Sequence, residues 1–332
     1  MEKKLFLETF IDKIFKRNKV RANVPVISVG NISFGGTGKT PFVIYICNFL
    51  KELGYKPAVI GQGYKRKSKE DVVVANGEEI LVDASLGGDE MALIAQRTGV
   101  PVFAGKLKSN IVAKMNNNDV EINYLYDFDC IVIDDGFQHK KLHRDLDIVL
   151  VDKKSISKIS LKREGIKALK RADIIVCSNG LIKEELLNNC DFQLKNIITA
   201  KKNNSIPYNL LNKTKCELIE EKNIALVGIA NSKRFLDTFK PDIISTLKYS
   251  DHHYYTLKDV EKIIKKCIKN DCSSIITTEK DATKLISYIE IFNKKNIKII
   301  VFPIEMELAK EDKSVLKNML NNLVVMQKSM IM

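Results

Sequence analysis

The sequence predicts an α/β protein in which a mostly parallel sheet, covered by helices on both faces, is followed by a smaller α/β unit. From residue 24 to about 180, short apolar runs alternate with helical patterns, which is typical of a parallel sheet between helices. The same alternation resumes after residue 222. A third observation is the glycine-rich segment that directly follows the first apolar run.

The predicted elements follow the apolar runs in chain order. In the first part, strands are expected at 24–29, 57–61, 100–104, 130–134, 147–151 and 173–177, and helices at 39–53, 88–98, 106–116 and 163–171. In the second part, strands are expected at 223–228, 243–248, 273–277 and 297–302, and helices at about 231–238, 257–269, 281–291 and from about 308. Residues 201–222 are polar and weakly patterned, so we interpret them as a linker between a core at 23–200 and a smaller unit at 223–332.

The segment SFGGTGKT at 33–40 lies between the first predicted strand and a helix. In this arrangement, the backbone N–H groups of the turn and the positive end of the helix point at one place. Lys39 adds a positive charge there, and Thr40 adds a hydroxyl that can bind Mg²⁺. In the alternative interpretation the glycines only turn the chain. Such a loop would not need to lie between a strand and the start of a helix, as this one does. The pattern therefore predicts a P-loop NTPase-like core. Its predicted phosphate-binding residues are Ser33, Phe34, Gly35, Gly36, Thr37, Gly38, Lys39 and Thr40.

An apolar strand ends in two carboxylates, Asp134 and Asp135. This is the Walker-B arrangement, in which an aspartate at the end of a strand reaches the metal held by the P-loop hydroxyl. Combined with the upstream GTGKT, it predicts Mg²⁺ bound between the two segments. Gln138 and His139 follow closely; they either support the phosphate site or are ordinary polar loop residues.

Two further acidic segments could take part in chemistry. Asp89 and Glu90 open a helical pattern after two glycines, where capping alone explains them, although they could instead face a substrate hydroxyl and the metal. Asp251, His252 and His253 lie between a strand and a helix of the second unit. A histidine beside an aspartate can orient or share a proton near neutral pH, and an aspartate cap with incidental histidines is the alternative.

The net charge of +13 favours anionic partners such as nucleic acid, acidic lipid or a phosphorylated substrate. Nucleic acid is not expected, because the chain has no aromatic run of the RNA-binding type and no zinc-finger spacing. The seven cysteines are scattered and form no C-x-x-C pair, which indicates a reducing compartment.

Residues 1–22 are expected to form a short basic amphipathic helix, because apolar residues recur at helical spacing among lysines and arginines. Such a helix either lies on an anionic membrane surface or packs on the body of the protein. No apolar stretch is long enough for a membrane span, and the N-terminus lacks the uninterrupted apolar region of a signal peptide. The apolar positions are Leu7, Phe10, Ile11, Ile14 and Phe15.

Taken together, these segments resemble the tetraacyldisaccharide 4′-kinases of lipid A biosynthesis. The likeness covers nearly the whole chain after residue 22, and the serine at position 33 is itself typical of this family's P-loop. It is carried by VPVISVGNISFGGTGKTPF at 24–42, GGDEMALIAQRTGVPVFAG at 87–105, IDDGFQHKKLHRDLDIVLVD at 133–152, LKRADIIV at 169–176, SDHHYYT at 250–256 and TTEKDATKL at 277–285.

The resemblance implies a kinase that moves the γ-phosphoryl group of ATP to the 4′-hydroxyl of an acylated glucosamine disaccharide 1-phosphate, giving lipid IVA. It implies a peripheral location on the cytoplasmic face of the bacterial inner membrane, with the second unit closing over the active site. Carried onto this chain, it assigns the residues as follows. Lys39 and the backbone at 35–40 bind phosphates, Thr40, Glu90, Asp134 and Asp135 serve Mg²⁺, Asp89 accepts the hydroxyl proton with His252 as its partner, and Gln138 and His139 support the phosphate site.

Some positions depart from the family pattern. Gln62 replaces an arginine, and Lys106 and Lys108 stand where arginines are common; a lysine holds phosphate only as a point charge. Arg163 and Glu164 resemble the family's LREP motif without its proline. Two alternatives stay open at this level: a soluble P-loop kinase or metallochaperone-like GTPase with a small polar substrate, and a nucleotide-gated module that binds nucleic acid or a protein partner.

Overall fold

The structure is a computed structural model that describes residues 19–117, 127–157, 159–190, 193–194, 196–216, 222–229, 232–239 and 243–331; for residues 234 and 324–331 the description covers the backbone. The strands of the larger sheet are β1 (Val26–Asn31), β2 (Pro57–Gly61), β3 (Val72–Asn76), β4 (Pro101–Ala104), β5 (Cys130–Asp134), β6 (Leu146–Val151), β7 (Ile174–Cys177), β8 (Asn196–Asn204) and β14 (Ile304–Leu308). Those of the smaller sheet are β9 (Tyr208–Asn209), β10 (Asn223–Val227), β11 (Ile243–Lys248), β12 (Ser274–Thr278) and β13 (Lys298–Phe302).

The helices are α1 (Lys39–Glu52), α2 (Ala84–Gly87), α3 (Asp89–Thr98), α4 (Lys108–Asn116), α5 (Lys153–Ile156), α6 (Lys183–Leu187), α7 (Ser232–Thr238), α8 (Leu257–Lys269), α9 (Glu279–Leu285), α10 (Ile289–Asn293) and α11 (Lys310–Ile331). Two short 3₁₀ helices lie at Ile166–Arg171 and Ile286–Tyr288. No helix in the described ranges combines the length and the apolar character needed to cross a bilayer.

The larger sheet has the strand order β14-β8-β7-β6-β1-β5-β2-β4-β3. Neighbours from β8 to β4 run parallel, and the edge strands β3 and β14 are antiparallel to their neighbours. Because successive side chains point to opposite faces, Ile27 contributes to the core under α1, whereas Val26 contributes to the core under α4. This arrangement confirms the predicted fold class.

The smaller sheet has the order β11-β10-β12-β13-β9, and its first four strands are parallel. Helix α8 buries Val260 and Ile263 against one face of this sheet, and Phe239, at the end of α7, packs on the other. The sheet is therefore a second α/β layer structure with its own core, as the alternation after residue 222 predicts.

The segment expected to be a linker differs from the prediction. Strand β8 continues to Asn204, and β9 then joins the smaller sheet, so part of the polar stretch at 201–222 forms strands. After β13 the chain returns to the larger sheet, where β14 pairs with the second half of β8 and α11 buries Leu316 and Leu320 in the core under α1. Residues 304–323 therefore pack with the P-loop core and not with the smaller sheet.

The amphipathic helix predicted at 1–22 lies outside the described residues except for its last four positions. Those four are not helical, because Val20 forms a parallel bridge with Leu142 and donates its backbone N–H to Lys141. Two other helices also differ from expectation. The segment 163–171 forms a 3₁₀ helix from residue 166, and the predicted helix 281–291 begins at Glu279 and is interrupted by a 3₁₀ turn.

Candidate active site

The glycine-rich turn lies at the carboxyl end of β1, in the centre of the larger sheet. Two glycines in the left-handed region, Gly35 at φ 105° and Gly38 at φ 101°, allow the chain to reverse before α1 begins at Lys39. The backbone N–H of Thr37 donates to the carbonyl of Gly35 at 3.0 Å. The start of α1 consequently faces the same edge of the sheet as the ends of the neighbouring strands.

Three side chains from two other segments, the end of β1 and the turn after β7, hold this turn in place. Asn31 donates from Nδ2 to Thr37 Oγ1 at 3.0 Å, Ser178 Oγ donates to the Thr37 carbonyl at 3.0 Å, and Asn179 Nδ2 donates to the Gly36 carbonyl at 3.2 Å. With its carbonyls satisfied in this way, the turn is preorganised to bind an anion through its N–H groups.

Ser33 occupies the position that the general P-loop pattern gives to glycine. Its side chain is fully buried, and its hydroxyl donates to Asp152 Oδ1 at 3.4 Å and accepts from Ser155 Oγ at 3.2 Å. The serine therefore links the turn to the cap of α5. Phe34, in contrast, is half exposed, with the guanidinium of Arg163 5.6 Å from its ring.

Three cationic side chains contact Asp135, two at its carboxylate and one at its backbone carbonyl. Lys39 Nζ lies 3.4 Å from Asp135 Oδ1, and one nitrogen of Arg163 donates to both carboxylate oxygens, at 2.6 and 2.7 Å. The buried ammonium of Lys108 donates to the backbone carbonyl of Asp135 at 3.2 Å. Although burial raises the pKa of Asp135, Lys39 and Arg163 lower it to below its ordinary value, so the carboxylate is ionised.

Asp134, the adjacent carboxylate, has a different environment. It pairs in register with Val29 of β1, which places it beside the glycine-rich turn, and its Oδ1 is buried without a hydrogen-bond partner. Burial, together with the negative charges of Glu90 and Asp135, raises the pKa of Asp134 to about 7. A buried, unpartnered carboxylate oxygen among other carboxylates is a position where a divalent cation is favourable.

The donor set fits Mg²⁺ held together with a nucleotide. Among the described residues, no group of three or more histidine, cysteine or acidic side chains is arranged as a complete metal site. Magnesium in kinases takes one or two protein carboxylates and completes its shell with phosphates and water. Asp134 and Glu90 could supply such carboxylates, and Thr40 lies in the first turn of α1 at the same edge.

Gln138 and His139 lie on the turn after β5. Gln138 donates from Nε2 to the Asn31 carbonyl at 2.8 Å, and its Oε1 is buried without a partner. His139 Nε2 accepts from the backbone N–H of Ser109 at 3.3 Å. Burial and the nearby charge of Lys108 lower the pKa of His139 to about 4, so the ring is neutral and holds the start of α4. Gln138 contacts the last residue of β1, shortly before the glycine-rich turn, whereas His139 contacts the start of α4.

Asp89 and His252 meet across the two sheets. Asp89 is the first residue of α3 and His252 lies after β11, and His252 Nδ1 is 2.9 and 3.0 Å from the two oxygens of Asp89. Burial raises the pKa of Asp89, but the hydrogen bond from His252 and the charges of Lys280 and Lys284 lower it to below its ordinary value. Because an ionised carboxylate only accepts, the Nδ1 nitrogen carries the proton.

Helix α9 of the smaller unit contributes two lysines to this pair. Lys280 Nζ lies 2.9 Å from Glu90 Oε1 and 3.5 Å from His252 Nε2, so it connects the acidic residue beside the metal position to the histidine. Lys284 Nζ is buried 3.8 Å from Asp89 Oδ2 and 3.2 Å from Asp281 Oδ1. Both carboxylates at the start of α3 are therefore paired with the second unit, and His253 instead pairs with Asp259, at 3.1 Å.

The structure brings the predicted site residues to one edge of the larger sheet. Lys39 contacts Asp135, and the adjacent Asp134 is close enough to Glu90 for the charge of Glu90 to raise its pKa. Glu90 in turn contacts Lys280, which reaches His252 and through it Asp89. Sequence reasoning gave no site role to several residues found here. Arg163 was recognised only as part of a motif, and Lys280 and Lys284 only as part of the segment TTEKDATKL that carries the family likeness. The remaining ones are Asn31, Asn179 and Lys202.

The glycine-rich turn between β1 and α1 and the acidic end of β5 define a protein of the P-loop nucleotide-binding class. A family model described as tetraacyldisaccharide-1-P 4′-kinase matches residues 8–324. The chain belongs to that family.

Individual relatives agree with the family. A tetraacyldisaccharide 4′-kinase from Syntrophus aciditrophicus is 33% identical over 307 residues, which cover 83% of this chain and 79% of the relative. One from Halothermothrix orenii is 33% identical over 327 residues, which cover 89% and 83%. A crystal structure of LpxK from Aquifex aeolicus in complex with ATP superimposes with a TM-score of 0.71 at 26% identity and covers 95% of this chain and 94% of that one.

Proposed function

We propose that this protein transfers the γ-phosphoryl group of ATP to the 4′-hydroxyl of a tetraacyldisaccharide 1-phosphate, forming the bisphosphorylated lipid A precursor. The proposal is supported by family membership and by one observation, the contact of Asp89 with His252 next to a P-loop and its acidic partner strand. Phosphoryl transfer needs mainly positioning and charge stabilisation, with one acceptor for the hydroxyl proton, and this edge of the sheet holds groups suited to each task.

In this proposal the glycine-rich turn holds the phosphates. Its N–H groups and the start of α1 face the nucleotide, and Lys39 leaves Asp135 to contact the β- and γ-phosphates. Arg163 and Phe34 border the same turn and line the approach of the nucleotide. Gln138 fixes the carbonyl of Asn31, and His139 fixes the start of α4.

Thr40, Glu90 and Asp134 would hold Mg²⁺, with Asp135 close by. Bound there, the ion would supply positive charge that stabilises the β- and γ-phosphates during transfer of the γ-phosphoryl group. The raised pKa of Asp134 is consistent with this role, because a cation relieves the repulsion that keeps this carboxylate protonated. Lys280, which pairs with Glu90, keeps that carboxylate directed towards the site.

The Asp89–His252 pair would take the proton from the sugar hydroxyl. Asp89 is only 1% exposed and His252 is 8% exposed, so the two groups exclude water and act as a unit. His252 orients the carboxylate, and Lys284 keeps it ionised. Since the residues belong to different units, the contact of the smaller unit with the larger holds the pair together, and the acceptor would bind beside it.

The acceptor is a lipid, so we place the protein on an anionic bilayer surface, at the cytoplasmic face of the bacterial inner membrane. The +13 net charge and the basic apolar pattern at 1–22 support this placement. Deletion of residues 1–18 should reduce co-sedimentation with vesicles containing anionic lipid and leave binding of ATP unchanged. Equal sedimentation of the truncated and full chains would contradict the placement.

The decisive experiment uses purified protein, γ-labelled ATP, Mg²⁺ and tetraacyldisaccharide 1-phosphate. We expect a labelled bisphosphorylated lipid that requires all four components. Turnover of water-soluble acceptors without any lipid product would indicate a soluble kinase instead. Steeply salt-dependent binding of oligonucleotides, with no phosphorylated product, would indicate the nucleic-acid-binding alternative.

A further inference from the structure

Strand β8 extends beyond the sheet on the side where the glycine-rich turn lies. Residues 196–199 pair with β7, which ends at Cys177, and the following residues of β8 pair with β14. Because β7 and β8 are parallel, the second half of β8 projects past the carboxyl edge of β7. The β8–β14 ribbon thus stands beside the nucleotide edge of the larger sheet.

Lys202 lies on this projecting half, on the same face of β8 as the buried residues Ile198 and Ala200. Its side chain crosses to the glycine-rich turn, and Nζ lies 3.4 Å from the Gly36 carbonyl oxygen. A Cβ atom on Gly38 would lie 2.7 Å from Lys202 Cε and 3.2 Å from its Nζ. The ammonium group therefore lies directly over the last glycine before Lys39.

The position of this charge is unusual for a residue that only packs on the turn. The Gly36 carbonyl already accepts from Asn179, so the turn does not need Lys202 to satisfy that oxygen. A lysine ammonium gains more from a phosphate oxygen than from a neutral carbonyl, because the bond is then assisted by both charges. Lys39 is paired with Asp135 in this structure, whereas the Lys202 ammonium lies on the turn itself.

We propose that Lys202 is a second phosphate-binding lysine of the P-loop, supplied by the β8–β14 ribbon. It contacts the phosphate chain of the nucleotide from the side of Gly36 and Gly38, while Lys39 contacts it from the start of α1. This inference rests on the nucleotide-binding role given above. The ribbon also connects the two sheets, with Ser205 donating to the Pro303 carbonyl at 3.0 Å, so Lys202 ties the bound nucleotide to the connection between the units.

The test compares three single variants of the full chain by titration with a fluorescent ATP analogue in the presence of Mg²⁺. Lys202→Met removes the charge, Lys202→Gln keeps a donor for the Gly36 carbonyl without a charge, and Lys201→Met removes a lysine from the exposed, opposite face of the same strand. Both Lys202 variants should bind the analogue about tenfold or more weakly, as expected for a lost charge-assisted hydrogen bond. Lys201→Met should bind like the native protein.

The same variants are titrated with adenosine, which carries no phosphate and should bind all of them equally. If Lys202→Gln binds the ATP analogue as tightly as the native protein, the lysine only holds the turn and the inference is wrong. If the native protein itself does not bind the analogue, the proposed function fails and not this inference alone. Lys202→Gln decides the matter even if Lys202→Met does not fold, because the glutamine keeps a polar donor beside the turn.

Discussion

The imidazole Nδ1 of His252 hydrogen-bonds both carboxylate oxygens of Asp89, at 2.9 and 3.0 Å, although the two residues are 163 positions apart in the chain. One comes from a helix that packs on the larger sheet and the other from the smaller unit. The pair exists only when the two units are in contact, so its chemistry depends on their relative position.

Asp89→Asn should lower turnover by about 10²–10⁴-fold, because it removes the proton acceptor and leaves His252 without an ionised partner. The KM for ATP should change little, since the substitution lies on the acceptor side. Steady-state kinetics with the lipid substrate measure both values. The matched control is Asp259→Asn, which breaks a different histidine–aspartate pair, at His253, and should leave turnover near native. Near-native turnover of Asp89→Asn would contradict the assignment.

Asp134→Asn should stabilise the ligand-free protein at pH 8 and at the same time abolish its stabilisation by Mg²⁺ with ATP. The folded-state pKa of Asp134 is raised from 3.8 to about 7, so between these values the unfolded chain is ionised while the folded protein retains the proton. Stability contributed by this group therefore falls as pH rises from about 4 to 7 and stays low above that. Replacing Asp134 by asparagine removes the ionisable group and with it this loss of stability.

Thermal unfolding at pH 5 and pH 8 measures this effect. The increase in Tm on going from native to Asp134→Asn should be larger at pH 8 than at pH 5, with roughly 2–4 °C for each kcal/mol. An equal difference at both pH values would mean that the carboxylate of Asp134 is not protonated in the folded protein near neutral pH.

Arg97→Met should destabilise the protein by about 3 kcal/mol, because it leaves the buried carboxylate of Glu279 without its cationic partner. Arg97 donates to Glu279 Oε1 at 2.5 Å, and the Glu279 side chain is only 7% exposed. Burial raises the pKa of Glu279, which shows the cost of its charge in this place. The double variant with Glu279→Gln should recover most of the loss in urea unfolding.

The control for this prediction is Lys56→Met, which removes the exposed ion pair with Asp127. Exposed pairs contribute about 0–1 kcal/mol, so this variant should unfold close to the native midpoint. Equal losses from Arg97→Met and Lys56→Met would show that the contact between α3 and the start of α9 does not hold the units together.

Gly38→Ala should destabilise the ligand-free protein by about 1–3 kcal/mol, because a non-glycine residue is strained at φ 101° and its Cβ would meet Lys202. Gly36→Ala is the matched control within the same turn, since a Cβ there would have nothing within 4 Å. Thermal unfolding without nucleotide compares the two. A larger loss for Gly36→Ala would mean that the turn is shaped differently from the structure described here.

Apolar periodicity predicted most of the fold. The strand at 57–61, the strand at 130–134 and the helix at 257–269 have the predicted bounds, because each is buried along its length or carries one clear apolar face. Edge elements were missed. Strand β3 follows a charged stretch, and the second half of β8 is polar, since both depend on pairing with a distant segment and not on their own burial.

The candidate site was predictable where a motif fixes local geometry, as in the turn before Lys39 or the strand end at Asp134. It was not predictable where the partner comes from elsewhere in the chain. Lys280 and Lys284 appear in the sequence as ordinary residues of a helix start, and only the packing of α9 against α3 places them beside Asp89 and Glu90. The sequence does contain one indication of strand β14. Its residues Ile304, Met306 and Leu308 alternate with two glutamates, which is the apolar–polar pattern of a strand with one buried face.

The route of the chain through β8 and β14 has a consequence for synthesis on the ribosome. When the first eight strands have emerged, β8 presents an open edge, and its partner is encoded about one hundred residues later. An open edge is a template for unwanted pairing with other chains. The nascent smaller unit must therefore fold while the larger sheet is still incomplete, and translation pauses within residues 205–303 should increase aggregation more than pauses after residue 308.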